Sequence, residues 1–193
     1  MSVAPKFLGR GAFTKVWGDG KKVTVVSICP IKKYLAEVTG NLQPKLELVK
    51  SVGNIEGYPI NILHGKQYNK LVSPKKQLNS THYKYYKALI KRGFGSVHFD
   101  DVEYWVKNSR LPVRLQDAIM KQYRVLCLKK YIYHDEDSWY MEISRRNLLE
   151  CGGKLVLNDL FFDNDAPRRW DYSFAHVRYL KYSNVKALLK EDS

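Results

Sequence analysis

Three side chains late in the chain carry the donors of a metal–phosphate site. Glu142 stands five residues before Asn147, and Asp159 follows after two short apolar runs, 147–151 and 154–158, around Gly152-Gly153. A carboxylate such as Glu142 can take the proton of an attacking hydroxyl. The amide oxygen of Asn147 and the carboxylate of Asp159 are the hard oxygen donors that Mg²⁺ prefers. A Gly-Gly pair between two apolar runs signals a tight β-hairpin. Such a hairpin would hold Asn147 and Asp159 near each other at its open end. The alternative is a surface hairpin whose flanking acids merely face water.

The elements that must position these residues can be read along the chain. Alternating apolar residues on either side of Gly9 and Gly11 predict strand, glycine turn, strand over 7–17. Gly18-Asp19-Gly20 gives the next turn, and the Val/Thr-rich stretch 22–28 a third strand. Pro30 opens a helix of about ten residues that Gly40 stops, with Glu37 near its end and Lys33 one turn earlier as its partner. Strands follow over 45–52 and 58–63, then a connector over 67–72 and a polar loop over 74–79 that makes the best boundary. Ser80 or Thr81 caps a helix to Lys91 with Tyr85, Tyr86, Leu89 and Ile90 on its apolar face. Asp100-Asp101 caps a shorter helix to Lys107. The longest helix is expected over 112–133, burying Leu115, Ala118, Ile119, Gln122, Tyr123 and Leu126. A final helix is expected over 183–190.

Composition narrows the partners. The chain has 193 residues and a formal net charge of +14, with basic residues in pairs spread along its length. That charge attracts phosphate-rich or acidic partners and says nothing of fold. Nucleic acid is therefore one expected class of partner, and a solvated basic surface is the other explanation. Three widely spaced cysteines offer neither a disulfide framework nor zinc spacing, so a reducing, cytoplasmic setting is expected. No apolar run is long enough to span a membrane, and no signal-peptide core is visible.

Four separated pieces together resemble a protein kinase. Leu8 to Trp17 is similar to the glycine-rich loop, with Thr14 where the third glycine usually sits. Strands, a short helix and two more strands then follow in the order of a kinase small lobe. Glu142 to Asn147 has the spacing of the catalytic loop, a carboxylate followed after four residues by Asn. Asp159 falls where the metal-binding Asp of the DFG triplet falls. Over roughly residues 6–165 the chain resembles the small, divergent kinase-like proteins of tailed bacteriophages, which modify or occupy host machinery.

The resemblance implies an α+β, truncated two-lobed protein kinase-like fold. Residues 1–73 would form an antiparallel-sheet small lobe and 74–193 a reduced, mainly helical large lobe. Gly9, Gly11, Phe13 and Val16 would cover ATP, Asn147 and Asp159 would hold Mg²⁺, Glu142 would act on the acceptor hydroxyl, and Arg145 or Arg146 would steady the transferred phosphate. Departures from the pattern bear on activity. No Lys stands on the third strand, where Val25 or Val26 takes its place, leaving Lys15, Lys22, Lys32 or Lys33 as substitutes. The catalytic Asp is Glu142, and the triplet at Asp159 reads Asp-Leu-Phe. Few residues follow Asp159, so an activation loop and peptide platform would be curtailed. The expectations are a Ser/Thr-type protein kinase acting on a host protein, or a pseudokinase that binds a host or defence protein.

Overall fold

The computed structural model describes residues 4–10, 14–55, 58–130, 139–163 and 180–190. It is an α+β protein with antiparallel sheets and several helices. Of the described residues, 4–36, 45–67 and 180–190 form one compact unit, and 37–44 with 68–163 form the other. The sequence reading has instead a single boundary at 73/74. No helix among the described residues is long and apolar enough to cross a membrane.

The first unit is built on a five-stranded antiparallel sheet. Strands β1 (Lys6–Arg10), β2 (Thr14–Gly18), β3 (Lys22–Ser27), β4 (Leu46–Ile55) and β5 (Tyr58–Lys66) lie in the order β1-β2-β3-β5-β4. Helix α1 (Pro30–Leu35) connects β3 to the β4–β5 pair. Residues 23–27 are buried without interruption, as a strand covered on both faces requires. The two-residue period sorts them. Val23, Val25 and Leu63 pack on one face with Val16, Leu46 and Leu48, while Trp17, Val26 and Ile62 line the other. Helix α6 (Tyr182–Lys190) covers that second face through Val185, Leu188 and Leu189. Two lysines of the sheet reach this segment. Lys15 Nζ donates to the carbonyl of Leu180 at 3.0 Å and Lys50 Nζ to that of Leu188 at 2.8 Å. The Leu188 carbonyl lies in the last turn of α6, where it has no partner within the helix and suits an ammonium group, whereas Leu180 precedes the helix.

The second unit mixes helices with two small sheets. Strands β6 (Asn69–Lys70), β9 (Leu148–Cys151) and β10 (Lys154–Leu157) form one, and β7 (Gly95–His98), β8 (Trp139–Ile143) and β11 (Phe161–Asp163) the other. Helices α2 (Pro74–Gln77), α3 (Ser80–Arg92), α4 (Val102–Lys107) and α5 (Val113–Lys130) complete it. Leu115, Ile119 and Leu126 of α5 are fully buried, one per turn as the apolar periodicity requires. Gln122 lies on the same stripe and is buried too, where its Nε2 donates to Gln43 Oε1 and to the carbonyl of Leu157. Phe99 centres an aromatic cluster with Tyr123, Trp139 and Phe161 at centroid distances of 4.8, 5.4 and 6.0 Å.

Several local expectations need correction. Helix α1 has six residues, not about ten. It stops at Ala36 because the β-branched Val38, and Leu42 beyond it, leave to be buried in the second unit. Glu37 pairs with Lys129 of α5 at 3.5 Å rather than with Lys33. The expected loop over 74–79 contains α2. Pro74 occupies its first turn, and Gln77 Oε1 accepts from the backbone N–H groups of Val72 and Ser73. Asn79, not Ser80 or Thr81, caps α3, with Oδ1 accepting from the His82 N–H at 3.0 Å. Part of the 67–72 connector is strand β6, and β7 follows α3 where no strand is expected. Ile90 on α3 is exposed instead of buried.

Candidate functional site

Backbone geometry brings Glu142, Arg145, Asn147 and Asp159 into one small region of the second unit. Strand β8 ends at Ile143, and a 3₁₀ turn over Arg145–Asn147 leads directly into β9. The Asn147 N–H closes that turn on the Ser144 carbonyl at 3.1 Å. Across the β9–β10 hairpin, Gly152 and Gly153 take φ of +56° and +79°, the left-handed pair that a type I′ turn demands. Register then pairs Leu148 with Leu157, so Asn147 and Asn158 meet at the open end.

Asp159 sits between two anchors. The Asn158 N–H donates to the Asn147 carbonyl at 2.8 Å, and the Glu142 N–H donates to the Leu160 carbonyl at 2.7 Å. The residue between has φ +56°, a left-handed conformation that Asp tolerates better than most side chains. Local strain of this kind persists only where surrounding bonds fix it, and it collects at functional sites. Asn147 is buried at 8% exposure, and its Nδ2 donates to the Glu142 carbonyl at 3.2 Å. That bond assigns the amide oxygen as its remaining acceptor. Asp159 is exposed.

The acidic partner is already engaged. Arg146 Nη2 meets Glu142 Oε1 at 3.2 Å, an i,i+4 pair whose spacing is visible in the sequence. Arg145, exposed beside it, has no ion pair among the described residues. Ser144 Oγ is buried without a hydrogen-bond partner among the described residues. Glu150 is a residue that sequence reasoning misses. Buried at 7% exposure, it accepts from Asn69 Nδ2 at 2.8 Å and from the Gly153 N–H at 2.7 Å, tying hairpin to β6.

Gly9 and Val16 belong to the first unit. Gly9 follows a register shift in β1, and a methyl group there would meet no atom within 4 Å. Val16 is half-buried against Val23, Val25 and Leu63. Gly11 and Phe13 lie outside the described residues. Among the lysines that could replace the missing one, Lys15 projects to the face opposite Val16. There its Nζ is held by the Leu180 carbonyl and lies 6.0 Å from the Phe7 and Trp17 ring centroids. Burial, with help from Arg10, lowers its pKa. Lys22 is exposed, Lys33 half-buried, and Lys32 buried at 6% exposure.

No group of three or more His, Cys, Asp or Glu side chains able to hold a metal occurs among the described residues. The donor set at Asn147 and Asp159 suits Mg²⁺ nonetheless, because that ion is commonly held by one or two protein oxygens plus substrate phosphates and water. No family model matches the chain, and neither does any curated protein or solved structure compared with it.

Proposed function

We propose that the chain is a divergent protein kinase-like protein, of the kind tailed bacteriophages direct at host machinery, that binds Mg²⁺–ATP and transfers a phosphoryl group to a protein hydroxyl. The observation that carries this reading is the pinning of Asp159 between residues bonded to Asn147 and Glu142. It gives the carboxylate–amide–carboxylate trio a fixed backbone. In a two-lobed kinase-like arrangement, Asn147 and Asp159 hold the metal and Arg145 meets the transferred phosphate. Glu142 orients the acceptor hydroxyl. Bound Mg²⁺ supplies charge neutralisation at the phosphate oxygens. The order of β1–β3, α1, β4 and β5 supports the small-lobe half of the reading.

A second reading, a pseudokinase that binds a host or defence protein, is favoured by two observations. The Glu142 carboxylate is paired with Arg146. Strand β3 carries no lysine beyond its exposed first residue, Lys22. A missing phosphate clamp removes transition-state stabilisation that is worth orders of magnitude in rate.

One experiment separates the two. A ligand that binds only the folded chain raises its stability, by about 2.7 kcal/mol at a hundredfold excess over Kd. Mg²⁺–ATP is expected to raise Tm more in the unaltered chain than in Asp159→Ala. Transfer of label from ATP that Asp159→Ala abolishes establishes the kinase. A Tm shift that Asp159→Ala reduces, without label, establishes the pseudokinase. No shift at millimolar ATP removes the kinase and leaves a pseudokinase that binds its target without nucleotide.

A further inference from the structure

A cavity lies wholly within the second unit, at a site that the proposed phosphoryl chemistry does not use. It encloses about 570 Å³ between residues 39–43, the first turns of α3, one face of α5 and the start of β10. That volume falls in the range of small-molecule sites, and far exceeds what an inorganic anion fills. Arg114, Asp117 and Lys121 project from α5 at i, i+3 and i+7, one face of the helix. Lys154 enters from β10, and His82 and Tyr85 from α3.

The charge on this wall is uneven. Three cations, Arg114, Lys121 and Lys154, face one carboxylate, Asp117. Lys121 Nζ is occupied by the Thr39 carbonyl. Neither Arg114 nor Lys154 has an ion pair among the described residues. His82 is fixed as a neutral donor. Its Nδ1 accepts from the Leu155 N–H at 3.1 Å, which leaves the ring proton on Nε2. The His82 and Tyr85 rings meet edge to face with centroids 5.4 Å apart, adding an aromatic wall to the cationic one.

We infer that this cavity binds an organic phosphate of about mononucleotide size. The anion would lie between Arg114 and Lys154, and a hydroxyl or amino group of the ligand would donate to Asp117. Arg114 offers the planar fork that phosphate oxygens match, and Lys154 a second point charge. The ring and sugar of such a ligand fill the volume that inorganic phosphate leaves over.

The test is calorimetric titration of the full chain with AMP, and separately with inorganic phosphate, in EDTA. Without divalent metal, the site at Asn147 and Asp159 is silenced. AMP is expected to bind the unaltered chain and Asp159→Ala equally. The double substitution Arg114→Ala/Lys154→Ala is expected to weaken it about tenfold or more, as loss of a charged hydrogen bond entails. Both side chains are exposed, so the double variant should keep its Tm without ligand. A single variant, Lys154→Gln, serves where it does not. Absence of AMP binding at millimolar concentration overturns the inference. So does equal AMP affinity of unaltered and substituted chains, or inorganic phosphate binding as tightly as AMP. A failure here leaves the Mg²⁺-dependent reading standing, and that reading can fail while this one holds.

Discussion

Gly9 and Gly65 each stand within a strand, β1 and β5, yet their surroundings differ. A methyl group at Gly65 would meet the backbone carbonyl oxygen of Lys45 at 2.5 Å, and a backbone on the neighbouring strand cannot swing away. At Gly9 nothing stands within 4 Å. Gly65→Ala is therefore expected to lower stability by about 1–3 kcal/mol through overpacking. Gly9→Ala should leave Tm nearly unchanged while weakening ATP binding under the kinase-like reading. Urea denaturation of both variants checks the pair. A Gly65→Ala chain as stable as the parent would show that β4 and β5 separate easily at their Lys45 end. The Arg145-Arg146 pair teaches the same lesson about side chains. Its i,i+4 spacing to Glu142 marks Arg146 as the ion-pair partner, although both arginines are exposed.

At the scale of elements, legibility follows the range of the forces involved. The β9–β10 hairpin is legible because Gly152-Gly153 encode two left-handed residues locally. The burial stripe of α5 is legible because its 3.6-residue period is local too. The early end of α1 is not, since it depends on Val38 finding a place among residues far along the chain. The role of Glu150 is hidden for the same reason, because its partner Asn69 is remote in sequence. The contact of α3 with β10 yields a pH test. Desolvation first, then the charge of Lys154, lowers the pKa of His82 below its ordinary value of 6.5. Unfolded chain then binds the proton more readily than folded chain, so this contribution to stability is whole above pH 6.5. It is lost progressively as pH falls toward the depressed folded value. Protonation also removes the Nδ1 acceptor of the Leu155 N–H. Arg114, Lys121 and Asp117 line the same cavity as His82. Asn at this position offers an amide oxygen near where Nδ1 stood and does not titrate. His82→Asn is expected to flatten the fall in stability between pH 7.5 and pH 5.5, measured against the unaltered chain. Identical pH profiles would sink the assignment.

For the whole molecule, part of the net charge of +14 gathers in one place. In the first unit, Lys21, Lys22, Lys45 and Lys66 line a hollow of about 620 Å³ together with Glu47. Lys22 and Lys66 are direct cross-strand neighbours, an arrangement of like charges that costs stability in a sheet. The turn before them is firmly built, with Asp19 Oδ1 accepting from the N–H groups of both Lys21 and Lys22. Those two backbone bonds hold the Asp19 carboxyl below its usual pKa range. Replacing the Lys21 and Lys22 side chains leaves that turn intact. A concentrated cationic hollow on a fixed turn is suited to phosphates along a nucleic-acid strand, each contact releasing counterions. Binding of a short DNA duplex is expected at low salt and should weaken steeply as salt rises. Lys21→Gln/Lys22→Gln should reduce the slope of log K against log salt by about 1.8, since each lost phosphate contact removes about 0.9. Fluorescence anisotropy at several salt concentrations measures it. An unchanged slope would move the charge effect elsewhere on the surface. No binding at low salt would remove nucleic acid as the partner of this hollow.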